Sequence, residues 1–136
     1  AFLEAIKAST TEMDECDVVV PRRDVAEFVL FSHSLQEKYG VRLRSFGHAG
    51  DGNLHPTFMC DKRDKEEFAR VEAAVDEMFD VAISLHGTLS GEHGIGTAKS
   101  KWMEKETSRG TILFSQRLRR ALDPKGLLNP TKLVGI

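Results

Sequence analysis

The sequence has few cysteines and no long hydrophobic run. Its two cysteines, Cys16 and Cys60, form no C-x-x-C motif, and we expect free, buried thiols in a reducing cytosol rather than a disulfide. No apolar stretch approaches the roughly 20 residues of a transmembrane helix, and no signal peptide is visible. We therefore expect a cytoplasmic location.

Neither sign of charge dominates. The chain has 19 Lys and Arg residues against 21 Asp and Glu residues, a net charge of −2 and a pI of about 6.2. This balance gives no reason to expect nucleic acid as a partner. The 136 residues suffice for a single domain, residues 1–136, with a real core. Because the chain begins with Ala1 inside a helix-like pattern, we interpret it as a piece of a longer protein.

Hydrophobic periodicity and turn residues predict an α+β fold. Residues 10–15 are polar and typical of a turn, and Gly40 is a natural helix stop. The predicted strands are at 17–20, 41–46 and 54–60. The predicted helices are a short one at 1–9, one that begins between residues 21 and 24 and ends at 39, and three more at 65–85, 98–105 and 107–122. This order favours a ferredoxin-like antiparallel sheet with helices on one face, followed by C-terminal helices.

Two histidines flank a glycine-rich turn, GHAGDGNLHP, at 47–56. If Asp51 and Gly52 form a two-residue hairpin loop, His48 lies directly opposite His55, with Cβ atoms about 4.5–5.5 Å apart. Pro56 cannot donate a ladder hydrogen bond, so it should occupy an edge or a bulge, which favours a bulged loop over this simple register. Two imidazoles at such a spacing can share a metal ion, and a hydrogen-bonded pair without metal fits the spacing equally well.

A second glycine-rich stretch, HGTLSGEHGIG at 86–96, indicates a shaped loop rather than a regular element. Glu92 in this loop is the best third ligand beside His48 and His55, and such a set suits Zn, Mn or Fe(II). His93 should point away from Glu92 in an extended loop. An imidazole near a metal, with a pKa near neutrality, suits a general base.

Together the two loops resemble the paired signatures of the C-terminal domain of FAD-linked oxidases. The stretches VPRR at 20–23 and DPKGLLNP at 123–130 also resemble that domain. Similar proteins include the flavoprotein subunit of glycolate oxidase, D-lactate dehydrogenase and D-2-hydroxyglutarate dehydrogenase. The resemblance implies an N-terminal FAD-binding domain that is absent here, and oxidation of a D-2-hydroxy acid, of the glycolate or D-lactate type, to the 2-oxo acid.

The resemblance also implies roles for individual residues. The positions of His48, His55 and Glu92 match metal ligands, and the position of His93 matches the group that takes the hydroxyl proton as hydride leaves for the flavin. Three further positions match residues close to the substrate, the flavin or the flavin's domain, namely Thr57, Asn129 and Lys132. Some relatives have Asn at the position of Thr57.

The implied partners are a small 2-hydroxy acid, the protein's own FAD domain and other oxidase subunits, including an iron–sulfur subunit. Two other functions remain open on the residues alone. One is a non-catalytic metal or small-molecule binding module that keeps the family's loops as part of its fold, and the other is a metal hydrolase. The chain has no recognisable flavin-binding motif, so we expect the isolated fragment to fold but to be inactive.

Overall fold

The centre of the fold is a long strand with neighbours on both sides. A computed structural model describes residues 12–132, together with Glu4 and Ala8, and the side chains from residue 16 onward; the helix predicted at 1–9 lies largely outside these residues. The strands are β1 (Glu12–Glu15), β2 (Val18–Val19), β3 (Arg42–His48) and β4 (Asn53–Cys60), and the helices are α1 (Val25–Tyr39), α2 (Lys65–Ser84), α3 (Met103–Glu106) and α4 (Arg109–Leu122). Short 3₁₀ turns occupy Arg22–Asp24 and Ser100–Trp102.

The sheet is antiparallel and β4 is its central strand. β3 pairs with one edge of β4, and β1 and β2 pair with the other. Val19 of β2 also forms an isolated bridge with Thr88, which follows α2. The chain order is therefore strand, helix, strand, strand, helix, with a last strand reduced to one bridge. This arrangement confirms the predicted α+β, ferredoxin-like class.

The core forms where the apolar residues of the strands meet those of α1 and α2. Alternation along the strands places Val18, Leu43, Leu54 and Phe58 on one face, and all four are buried. The helices contribute residues at steps of three and four, as the periodicity predicts. The largest buried helical residues are Phe28, Leu35, Met78 and Phe79.

Two local predictions were wrong. Residues 12–15 form β1 instead of a turn, because four successive residues pair with β4 although they lack the apolar alternation of a strand. Residues 98–105 do not form one helix, since a 3₁₀ turn at Ser100–Trp102 precedes the single turn of α3. In both places tertiary pairing or local turn geometry outweighs the sequence pattern.

Internal contacts divide the chain into two compact units, Ala1–Gly91 and Glu92–Ile136. The first contains the sheet with α1 and α2, and the second contains α3, α4 and the C-terminal turn. Cys16 and Cys60 are buried and are not joined in a disulfide, as expected. Among the described helices, none has the length and apolar character of a membrane span.

Candidate metal and substrate site

The β3–β4 hairpin has a four-residue loop, so the simple two-residue turn at Asp51 and Gly52 does not form. His48 pairs with Asn53, and the N–H groups of Asp51 and Gly52 both donate to the His48 carbonyl, at 3.1 and 3.2 Å. Gly52 has a φ of 82° and lies so close to the Val20 carbonyl that a side chain has no room. The loop is therefore shaped by Gly52 rather than by a tight Asp-Gly turn.

His48 and His55 come together despite this change of register. β3 places Phe46 opposite His55 and His48 opposite Asn53, so the two histidines are diagonal neighbours on one face of the sheet. Their ring centroids lie 5.5 Å apart with the rings edge to face, and a ring nitrogen of one lies within 4.8 Å of a ring nitrogen of the other. His55 is buried and His48 is exposed.

Pro56 interrupts the sheet next to this pair. It lies in the central strand, paired with Ser45, and not at the edge or bulge predicted for it. The Cys16 N–H donates to the Pro56 carbonyl at 2.9 Å, but proline has no N–H to return the bond. β1 and β2 keep a common register on either side of this point, so the missing donor explains why one strand is divided at Cys16 and Asp17.

Asp17 lies beside the histidine pair and was not predicted as a residue of the site. The common register of β1 and β2 puts Asp17 opposite His55, and its side chain is fully buried. Its Oδ1 atom is 3.9 Å from His55 Nδ1. Its Oδ2 atom accepts hydrogen bonds from the Ser90 hydroxyl at 2.7 Å and from the Gly91 N–H at 2.9 Å.

Asn53, His55 and Thr57 alternate along β4 and share the face that carries Asp17. All three are buried, and the Thr57 hydroxyl donates to the His55 carbonyl at 3.3 Å. A Cβ atom on Gly91 would lie 2.6 Å from the Asn53 side chain, so the loop passes directly over Asn53. The polar face could have been predicted from the sequence, because polar residues occupy every second position of this strand.

Glu92 and His93 belong to the second unit and are both exposed. They lie in an irregular stretch, as predicted for the second glycine-rich loop. Glu92 is joined by one peptide bond to Gly91, whose N–H is held by Asp17. The roles of Glu92 as third ligand and of His93 as base stay predictions.

Asn129 and Lys132 line a cavity of about 590 Å³ within the second unit. The Lys132 Nζ atom lies 3.4 Å from Asn129 Oδ1. The Arg119 guanidinium donates to the carbonyls of Asn129 and Lys132, at 2.5 and 2.9 Å, and so holds the segment that contains both residues. The apolar side chains that border the cavity are Ile95, Leu118, Leu122 and Leu128.

Asp123 shapes the turn at the C-terminal end of α4. Its carboxylate accepts hydrogen bonds from the N–H groups of Leu127 and Leu128, at 3.0 and 2.7 Å. These backbone donors lower the pKa of the Asp123 carboxyl, because they stabilise its charged form. The stretch at 123–130 therefore forms an ordered turn that leads to Asn129.

Comparison with known proteins decides the family. Residues 1–133 match the family described as FAD linked oxidases, C-terminal domain. The chain belongs to this family. The resemblance inferred from the two glycine-rich loops is thus confirmed, and the family's description links it to FAD.

Similar members of the FAD-linked oxidase family are oxidoreductases. The chain is 44% identical to "Glycolate oxidase subunit GlcD" of Bacillus subtilis (strain 168), over 86% of the chain and 25% of that protein. It is 39% identical to "D-lactate dehydrogenase" of Anaerostipes hadrus, over 98% of the chain and 28% of that protein. The chain therefore spans about a quarter of the length of these curated relatives.

Proposed function

We propose that the chain is the substrate- and metal-binding C-terminal part of a flavin-dependent dehydrogenase or oxidase. Its substrate would be a D-2-hydroxy acid, of the glycolate or D-lactate type, and its product the 2-oxo acid. The names of the relatives support this reaction class. The observation that carries the proposal is the closeness of His48 and His55 on one face of the hairpin.

The histidine pair fits a divalent metal. With metal–nitrogen bonds of about 2.1 Å, two ligands of one ion lie at most about 4.2 Å apart. A ring nitrogen of His48 lies within 4.8 Å of a ring nitrogen of His55, which is close to this limit. Imidazole ligands suit Zn, Mn or Fe, and a carboxylate from Glu92 would complete the set. The exposure of His48 leaves one side of the pair open to a substrate.

When bound, the metal supplies Lewis acidity and FAD supplies a hydride acceptor. The residues of this chain would then divide the work. His48, His55 and Glu92 hold the ion, and His93 accepts the proton of the substrate hydroxyl as hydride leaves the α carbon. Thr57 would support the substrate side of the site through the β4 backbone, while Asn129 and Lys132 would approach the flavin or its domain.

The proposed partners follow from the length of the relatives. The rest of the protein would provide the FAD-binding domain, since the chain matches only about a quarter of each relative. One relative is named a subunit of glycolate oxidase, which supports further oxidase subunits. We propose that an iron–sulfur subunit is one of them. We propose a cytoplasmic location, with contact to a membrane only through such subunits.

Metal analysis of the full-length protein tests the proposal. His48→Ala and His55→Ala should each lose bound metal, as measured by plasma mass spectrometry after dialysis. His33→Ala is the matched control, because the His33 imidazole on α1 contacts the Ser45 hydroxyl of β3 at 3.2 Å and lies outside the pair. Wild-type metal content in both variants of the pair would disprove the proposed site.

A second variant separates metal binding from proton transfer. His93→Asn should keep the metal but lower kcat by about 10²–10⁴-fold, the usual effect of removing a general base. Steady-state oxidation of glycolate and D-lactate by the full-length protein measures this loss. Unchanged kcat in His93→Asn would contradict the assignment of His93 as the base.

A further inference from the structure

A buried carboxylate next to the candidate metal site has no role in the function proposed above. We propose that Asp17 is a positioning residue that fixes two parts of this site at once, namely His55 on β4 and the loop that leads into Glu92. The proposal rests on the proposed function, because it assigns Asp17 a task only if the histidine pair binds a metal.

The first task is to orient His55. Asp17 lies opposite His55 in the sheet, and its Oδ1 atom is 3.9 Å from His55 Nδ1, within ion-pair range. An imidazole whose Nδ1 faces a carboxylate presents Nε2 on its other side as a ligand. Carboxylates that face metal-bound histidines in this way fix the ring orientation and raise the basicity of the ligand.

The second task is to hold the loop. The Oδ2 atom of Asp17 accepts from both the Ser90 hydroxyl and the Gly91 N–H, at 2.7 and 2.9 Å. On its other side Gly91 passes so close to the Asn53 side chain that a Cβ atom would lie 2.6 Å from it. Gly91 is thus clamped between Asp17 and Asn53. The backbone of Glu92 begins one peptide bond beyond this clamp.

The burial of Asp17 strengthens the argument for a positioning role. The Asp17 side chain is fully buried, and a carboxylate there needs strong partners because burial removes it from water. Hydrogen bonds to a charged acceptor are stronger than neutral ones, and they are stronger again in a low local dielectric. The Asp17 carboxylate can therefore hold the loop at a fixed position relative to β4. A neutral side chain would hold the loop less rigidly.

Cobalt titration of the full-length protein, freed of metal, tests the positioning role. Asp17→Asn keeps the shape of the side chain and removes its charge, and it should weaken Co²⁺ binding about 10–100-fold, the usual effect of losing a residue that supports a metal ligand. It should also alter the visible absorption of bound Co²⁺, which a purely structural residue would not change. Ser90→Ala removes one of the loop contacts and should weaken Co²⁺ binding less.

Asp64→Asn is the matched control. Asp64 also accepts two backbone N–H bonds, from Glu66 and Glu67 at 3.0 Å, but it caps α2 beyond the far end of β4. This variant should lower thermal stability while it leaves the affinity for Co²⁺ and the Co²⁺ spectrum unchanged. If Asp17→Asn does not fold, Ser90→Ala measured against Asp64→Asn still decides between weakened and unchanged Co²⁺ binding.

The outcomes separate this role from the proposed function. If His55→Ala abolishes Co²⁺ binding while Asp17→Asn keeps the wild-type Co²⁺ affinity and spectrum, the positioning role is overturned. If Asp17→Asn does not fold, the same result in Ser90→Ala overturns it. Wild-type Co²⁺ binding in His55→Ala overturns the proposed metal site, and the positioning role with it. Weakened binding and a changed spectrum in Asp17→Asn, but not in Asp64→Asn, support the proposal.

Discussion

His55 lies diagonally across the β3–β4 hairpin from His48, with the two rings edge to face and their centroids 5.5 Å apart. The two imidazoles differ in burial, since His55 is only 4% exposed and His48 is exposed. Phe46 makes a second ring contact with His55, at 5.2 Å between centroids. The pair therefore combines a buried imidazole with one that is accessible to solvent, and the two should contribute differently to stability.

Replacement of His55 by Ala should destabilise the metal-free protein more than replacement of His48. Loss of the buried ring leaves a cavity beside Phe46 and should lower the free energy of unfolding by roughly 1–3 kcal/mol, whereas an exposed ring should change it by less than about 0.5 kcal/mol. Urea denaturation of the two metal-free variants measures both values. Equal losses would contradict the difference in burial.

Gly91→Ala should also destabilise the fold. The new methyl group would lie 2.6 Å from the buried Asn53 side chain, and overpacking of this kind costs roughly 1–3 kcal/mol. Gly50→Ala is the control, because a Cβ atom there has no neighbour within 4 Å. The control should change stability by less than about 1 kcal/mol. A stable Gly91→Ala variant with wild-type urea midpoint would show that the loop does not pass tightly over Asn53.

The fold could be predicted where local pattern and tertiary structure agree. The helix predicted at 65–85 illustrates this, since α2 spans Lys65–Ser84 and the Asp64 side chain caps its start by accepting from the N–H groups of Glu66 and Glu67. β1 could not be predicted, because its strand conformation comes from pairing with β4. Asp17 was missed for a related reason, since its partners Ser90 and Gly91 are more than 70 residues away in sequence.

The closeness of His48 and His55 was predicted, but the two-residue register of their hairpin is not the one that forms. An Asp-Gly pair usually indicates a two-residue turn, but the carbonyl of His48 accepts from both Asp51 and Gly52 and closes a longer loop. Because the true register shifts the pairing by two residues, His48 stays on the face of His55. A shift by one residue would have separated the two rings.

The predicted helix from 107 to 122 is confirmed as α4, with the Ser108 side chain accepting from the Thr111 N–H at 3.1 Å. Several apolar side chains of this helix are exposed. Phe114 is 67% exposed and Leu122 is 75% exposed. Helical periodicity indicates an apolar stripe and contains no information on what covers it.

Asp123→Asn should destabilise the C-terminal turn relative to the wild type, and this loss of stability should be larger at neutral pH than at low pH. The pKa of Asp123 is lowered from 3.8 by backbone hydrogen bonds from Leu128 and Leu127. A lowered pKa contributes stability above the unfolded-state pKa and loses it as pH falls through the folded-state pKa. The difference in melting temperature between wild type and variant should therefore shrink below about pH 4. A difference that stays constant down to pH 2 would contradict this role.

The isolated chain, residues 1–136, should not oxidise glycolate or D-lactate. The proposed reaction needs a hydride acceptor, and the chain matches only about a quarter of each relative, so the flavin would be bound by the part of the protein outside it. Dichlorophenol-indophenol reduction measures the activity, with the full-length protein as the positive control at equal concentration. The metal should still be detectable in the fragment if His48 and His55 suffice to hold it. Steady dye reduction by the fragment without added flavoprotein would show that this part of the protein contains a complete catalytic site.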